Sequence, residues 1–510
     1  MDKLKGFTAE KTASIGVFAL LVLYPVIMTD KYFNITATRC LFFMITALLF
    51  FALCFILKSI GCKSSETLEK PRISRLSKAD IFFTVYVIVS FFSTLFSSYG
   101  AAAISGEAGR RMGLLMIISM YFAYLFISEF YRIKEYEFVF FGAIGAFMGL
   151  FGMLQYIGLN PFGLHDGLSE LDSVRFISLI GNINIYSSFI CIVLPLAMYM
   201  FCFSEGKKSL FWLFVVFATF IGFMTSISDS GYLGLGAAIV VLAVLTAKDK
   251  KTFCKFFVTI ITILVSGGVF DLVWRAFGDP EHPSSVPNDI IKNPIVILSG
   301  TAVCVIAIIA ISCFNITEKA FSRIRRFIIF ASAAFVAVCI ALVVWVTLSD
   351  VEIDPNGVAK YFKFTETWGN GRGFAWSKLL EIYSELPLHK KLIGTGPETI
   401  AYEMVSRHGD KMNEMFGFYY DNAHNELIQY LVTLGLLGML SYLFLVGSAV
   451  KSSLKAESTI SRAMVLPIVA YFAQSLVNIS QPITTPLFFV FLAFTQCRIC
   501  ESKSENECNG

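Results

Sequence analysis

Apolar stretches of about 17–23 residues recur along the chain with short polar breaks between them, long enough as helices to cross a roughly 30 Å hydrocarbon core. Lipid offers no partner for backbone amides and carbonyls, so each stretch must be helical to pair its own. The pattern predicts about fourteen spans: 14–29, 39–58, 80–97, 112–130, 136–157, 185–203, 209–227, 231–247, 254–274, 294–314, 327–348, 425–447, 461–477 and 484–499. One polar interval is long, residues 350–424 between the eleventh and twelfth spans. The expected fold is an all-α integral membrane protein in three parts. Residues 1–348 hold about eleven spans, 349–424 form a large loop with short helices, and 425–510 hold about three spans and a tail.

Composition agrees. Hydrophobic residues make up 56% of 510 and charged residues 15%, where a soluble domain carries about a quarter charged. With the N-terminus inside, inner segments hold 26 of the 41 basic residues; outer segments hold 7 once the long loop's eight are set aside. Long loops cross largely regardless of charge, so the termini are expected in the cytoplasm and the long loop outside the cell membrane. The first span follows Lys3, Lys5 and Lys11 with no small-residue cleavage site, and reads as a retained anchor. All twelve cysteines fall in spans or on the inner side, which argues against outer disulfides. Cys497 and Cys500 form a CxxC pair near Cys508, but zinc sites need four ligands, so these read as reduced thiols. A net charge of +4 spread over inner loops is a topology signal and excludes a nucleic-acid patch. His282, in the Pro-rich outer loop 275–293, reads as solvated polarity.

The long loop holds two of the five tryptophans and three of the five histidines. FAWSKLLEIYSEL places Trp376, Leu379, Leu380 and Tyr383 on one helical face. Pro387 and the following HKK end that helix favourably for its dipole. IGTGPET at 393–399 is a Gly-rich turn, a second helical stretch runs through Val405, and DNAHNELIQYL enters the twelfth span. The whole reads as a folded cap whose helices lie on the membrane.

Arg372 sits in GNGRGFAWSK just before a helix, and glycines at 369, 371 and 373 free the backbone to aim its amides. An arginine beside a helix start with oriented amides suits a phosphate; the competing reading is an arginine reaching lipid headgroups. His424 lies on the first turn of the twelfth span, a helix that Asp421 or Asn422 can cap. The positive end of that helix keeps the imidazole neutral, as a general base for a hydroxyl requires; a capping or packing histidine is the alternative. His389 and His408 lack such surroundings. Arg110 and Arg111 precede the fourth span and Arg175 the sixth, so arginines from three loops could meet one polyanion. Each alone could anchor at the interface. Asn182 and Asn184 at the entry of the sixth span could cap it or meet a sugar hydroxyl. No Walker loop, HExxH or GxSxG is present, and the first outer loop, 30–38, has only Asp30, which disfavours an acidic metal site.

The order RFISLIGNINIYSSF, GRGFAW, IGTGP and DNAHNELIQYLVTLGLLG resembles the O-antigen ligase and polymerase superfamily over about residues 98–447. The resemblance implies a GT-C-like architecture with a large outer loop over a membrane-level cavity. It also implies transfer of a glycan from undecaprenyl diphosphate to an acceptor hydroxyl, in cell-surface polysaccharide assembly, with no metal or other cofactor. The acceptor would be a glycan or lipid-linked molecule, and ligase and polymerase both remain open. Arg372 would hold the donor diphosphate and His424 would activate the acceptor; Arg175, Arg110, Arg111, Asn182, Asn184 and Asn425 would line the substrates. Where many members carry a serine-arginine-glycine run, this chain reads SDSGYLGLG, with Asp229 at the place of a basic residue. The rival class is a lipid-linked oligosaccharide flippase, which should show pseudo-repeated halves and a charged central cavity.

Overall fold

The computed structural model describes residues 8–61, 76–107, 109–279, 284–349 and 361–497. His282, Cys500 and Cys508 lie outside the described residues. Of the described residues 76% are helical, and ten described helices are long and apolar enough to cross a membrane. They coincide with ten of the fourteen expected spans.

The other four expected spans are also helical but shorter or interrupted. Residues 14–29 form Ala9–Phe18 followed by a π-helical turn, Ala19–Leu23. Residues 112–130 form Leu114–Phe130, just under spanning length. Residues 461–477 split into Thr459–Ala463 and Val465–Ser475, and residues 484–499 form Thr485–Phe494.

Helix Ile183–Phe203 stands at the centre, with its most apolar window wholly buried. Gly206–Thr225 and Val465–Ser475 pack directly on it. Pro294–Cys313 and Glu318–Leu348 lie at the periphery, with almost all their apolar side chains facing outward. That is the burial expected of helices whose solvent is lipid.

A polar seam runs through the centre. Asn478 donates through Nδ2 to Asn184 O (3.0 Å), Ser230 Oγ (3.1 Å) and Gln474 Oε1 (2.8 Å). Ser228 Oγ donates to Asn184 Oδ1 at 2.8 Å. Polar groups within a membrane bundle are costly unless joined in this way.

The expected span 425–447 is broken. Glu426–Thr433 ends at Leu434, and Gly435–Lys455 starts afresh. The IGTGPET turn is wedged at the break, where the amides of Thr395 and Gly396 donate to Val432 O and Thr433 O at 3.1 and 2.9 Å. Gly435 takes φ +67°, and a Cβ there would lie 2.3 Å from the Leu392 carbonyl carbon.

The long polar segment carries its own small core. Helices Trp368–Glu385 and Ile400–Phe416 close over Phe374, Leu379, Ile382, Met404, Met412 and Tyr420. Leu380, expected on one face with Trp376, Leu379 and Tyr383, is 46% exposed, while Ile382 is buried with Leu379. The HKK residues lie inside a separate short helix, Leu388–Ile393, and the helix expected through Val405 runs on to Phe416.

Candidate functional site

Arg372 is set by a kink. Gly369, Asn370 and Gly371 all take left-handed backbone, with φ +60°, +60° and +85°. Gly371 has no substitute: a Cβ there would lie 1.8 Å from the Tyr420 hydroxyl, which donates to Asn370 O at 3.0 Å. Arg372 Nε is buried without a hydrogen-bond partner. Burial lowers its pKa, while Asp229 and Tyr420 pull it back up. Asp229, in the SDSG stretch, thus bears on this arginine. Asp229 is itself held by the Tyr361 hydroxyl, which donates to Oδ2 at 2.8 Å.

His424 lies ahead of its helix, not on the first turn. The cap is Asn425, whose Oδ1 accepts from the Leu427 and Ile428 amides at 2.9 and 3.1 Å, rather than Asp421 or Asn422. Asn422 instead accepts the His424 amide at 2.8 Å, and His424 takes φ +49°. The stretch is pinned on both sides: Trp376 Nε1 donates to Ala423 O at 2.8 Å, and Gln429 Oε1 accepts the Ala423 amide at 3.0 Å. The imidazole meets the Tyr420 ring edge to face at 6.5 Å, and its Nδ1 is buried without a partner. Burial first, then the charges of Arg372 and Arg110, lower its pKa to about 3 against the pull of Asp421. The ring is neutral at pH 7, as expected, but the cause is burial among arginines.

Arg110 is brought to the same place by a bidentate pair with Asp421, Nε to Oδ2 at 2.9 Å and Nη2 to Oδ1 at 2.5 Å. Burial raises the Asp421 carboxyl, but the hydrogen bonds and charge of Arg110, with His424, outweigh it and hold the pKa below the usual range. Arg110 Nη1 remains buried without a partner, as does Arg111 Nε. Buried donors of this kind are rare because they cost stability, and guanidinium donors fit anionic oxygens.

The structure therefore gathers Arg372, His424 and Arg110. It does not gather every expected residue. Arg111, at φ +51°, bears electrostatically on Cys40 of helix Ile35–Gly61. Arg175 is exposed at the end of Glu170–Arg175, where a two-stranded ribbon pairs Phe176 with Asn182. Asn182 caps Ile183–Phe203, and Asn184 belongs to the central polar seam. Residues that sequence reasoning missed are Tyr420 and Tyr361. Asp421 was legible only as a cap, and Asp229 only as a departure. The contacts of Asp229 and Asp421 span 132 or more residues of chain, Tyr361 to Asp229 and Arg110 to Asp421, while Tyr420 reaches Asn370 across 50. Among the described residues no group of three or more His, Cys, Asp or Glu could hold a metal ion.

Fold and site together define a multi-pass α-helical membrane protein with cationic groups gathered under one polar segment. Residues 295–443 match the protein-family model described as O-Antigen ligase. The match bears out the resemblance read from the sequence, over a shorter stretch than 98–447, and contains both Arg372 and His424. That family implies glycan transfer in polysaccharide assembly, a glycosyltransferase-like activity. No curated protein matches the chain.

Proposed function

We propose that this protein transfers a glycan from an undecaprenyl-diphosphate carrier to an acceptor hydroxyl at the outer face of the membrane. The observation that carries the reading is the convergence of Arg372, Arg110 and His424, with buried, unpartnered nitrogen atoms on all three, inside the stretch that matches the O-Antigen ligase family model. Arg372 holds the donor diphosphate, whose oxygens take the donors the protein leaves unpaired. Arg110, clamped by Asp421, adds charge from a second element. A diphosphate leaving group needs its negative charge stabilised as the anomeric bond breaks, and fixed guanidinium groups in a water-poor site do this effectively. The arginines supply the charge that a metal would otherwise bring, so the transferase is read as metal-independent.

His424, neutral at working pH, accepts the hydrogen bond of the acceptor hydroxyl and orients it toward the anomeric carbon. Residues 349–424 are the outer catalytic segment between the membrane parts 1–348 and 425–510, with both termini in the cytoplasm. Asn425 caps the helix that follows His424 and so holds its place, while Asn182, Asn184, Arg111 and Arg175 are assigned no substrate contact. The test is direct. The purified protein in lipid vesicles, given undecaprenyl-diphosphate-linked glycan and a glycan acceptor, should form the joined product with a chelator present. Movement of the lipid-linked glycan across the bilayer without any joined product would make the protein a flippase and end this reading.

A further inference from the structure

Tyr420 meets both halves of the site. Its hydroxyl donates to Asn370 O at 3.0 Å, in the turn that leads into Arg372, and its ring meets the His424 imidazole edge to face at 6.5 Å. The turn needs bracing. Asn370 takes left-handed backbone at φ +60°, a conformation disfavoured for a residue with a Cβ, though less for asparagine than for most. Besides the bond from Tyr420, the Gly371 amide donates to Thr367 O at 3.2 Å across the same turn. The missing Cβ of Gly371 leaves the space that the Tyr420 hydroxyl fills. The ring itself is buried, edge to face on Phe416 at 5.5 Å and beside Phe418 at 5.1 Å. Phenylalanine would fill that core as well, so the packing alone does not call for the hydroxyl. Arg372 Nε and His424 Nδ1 are both buried without a partner. No bond to either atom places it, and the turn under Arg372 and the ring beside His424 are what Tyr420 holds.

Resting on the transferase reading, we propose that Tyr420 is a positioning residue that sets the guanidinium of Arg372 and the imidazole of His424 relative to one another. Its hydroxyl fixes the turn from which Arg372 reaches the donor diphosphate, and its ring fixes the plane of His424, which orients the acceptor hydroxyl. Diphosphate and hydroxyl must be held together at one anomeric carbon, and a small misplacement of either lowers the rate steeply. A tyrosine suits the task, because its rigid ring ties two points together at low cost in conformational entropy. Tyr420 acts through its neighbours and touches neither substrate.

The experiment measures, in vesicles, binding of undecaprenyl diphosphate itself and steady-state transfer to a glycan acceptor. Tyr420→Phe keeps the ring and loses only the hydroxyl. It should weaken undecaprenyl diphosphate binding about 2–10-fold, the effect of one net hydrogen bond, and leave KM for the acceptor unchanged. Tyr420→Leu loses the ring as well and should also lower kcat at saturating donor by about 10²-fold. Paired changes separate positioning from packing. In the His424→Asn protein, Tyr420→Phe should weaken donor binding as much as in wild type. In the Arg372→Lys protein it should weaken binding much less, because the flexible ammonium lacks the fork that the turn aims. Equal weakening in the Arg372→Lys protein overturns the assignment, as does a Tyr420→Phe protein that is less stable but binds undecaprenyl diphosphate like wild type. Should Tyr420→Leu fail to fold, the Tyr420→Phe results decide alone. Absence of joined product from wild type would instead strike the transferase reading, and the binding results would still decide for Tyr420.

Discussion

His424 shows how far a side chain's protonation departs from what its own helix dictates. For His424, the sequence offers a helix N-terminus as the reason for neutrality, but the cap is Asn425 and the larger causes are burial and two arginines. These arginines come from distant parts of the chain, so no local pattern announces them. The shift has a consequence for stability. An unfolded histidine binds a proton near pH 6.5, while the folded one resists it down to about pH 3. Between those values the unfolded state binds more protons, so stability is full above 6.5 and falls as the medium is acidified. The slope from this one group is about 1.4 kcal/mol per pH unit in that window. Thermal unfolding in detergent should therefore show wild type losing more stability between neutral and acidic pH than His424→Asn. Equal losses would mean that His424 is not held neutral by its surroundings.

At the scale of elements, hydropathy located the helices well and their interruptions poorly. All fourteen predicted spans fall on helices, because apolar length is a local signal. The break at Leu434 is not local: it exists because the IGTGPET turn takes the carbonyls of Val432 and Thr433. The glycines of that turn were visible in the sequence, but not their target 37 residues on. Likewise the small core of the polar segment draws Val432 and Ala423 to Phe374 and Ile400, and this is why Ile382 rather than Leu380 turns inward. Gly435 tests the wedge. A left-handed alanine costs about 1–2 kcal/mol before any clash, and here its Cβ would press on the Leu392 carbonyl carbon at 2.3 Å. Gly435→Ala should lower stability by more than about 2 kcal/mol. Gly447→Ala, later in the same helix with nothing within 4 Å of its Cβ, should leave it unchanged or raise it slightly. Matching effects of the two would remove the wedge from the explanation.

Over the whole molecule, the site reading depends on which side of the membrane residues 361–424 face. The distribution of basic residues predicts the segment outside, and the proposed function needs it there, since its acceptor would be met outside. With interfering native cysteines replaced, cysteine in place of Lys390 should react with an impermeant thiol reagent in intact cells, and cysteine in place of Lys455 should not. The reverse pattern would invert the orientation and remove the site from its substrates.

The division of labour between Arg372 and His424 is tested most directly by measuring donor binding and glycan transfer side by side. Arg372→Ala and His424→Asn are placed in vesicles at equal abundance with undecaprenyl-diphosphate-linked glycan. Arg372→Ala should lose donor binding and transfer together, because the diphosphate loses its principal guanidinium. His424→Asn should keep donor binding and lose transfer by roughly 10²–10⁴-fold, the range expected when the hydroxyl is no longer activated. Full transfer by His424→Asn, or undiminished donor binding by Arg372→Ala, would contradict the assignment of these two residues.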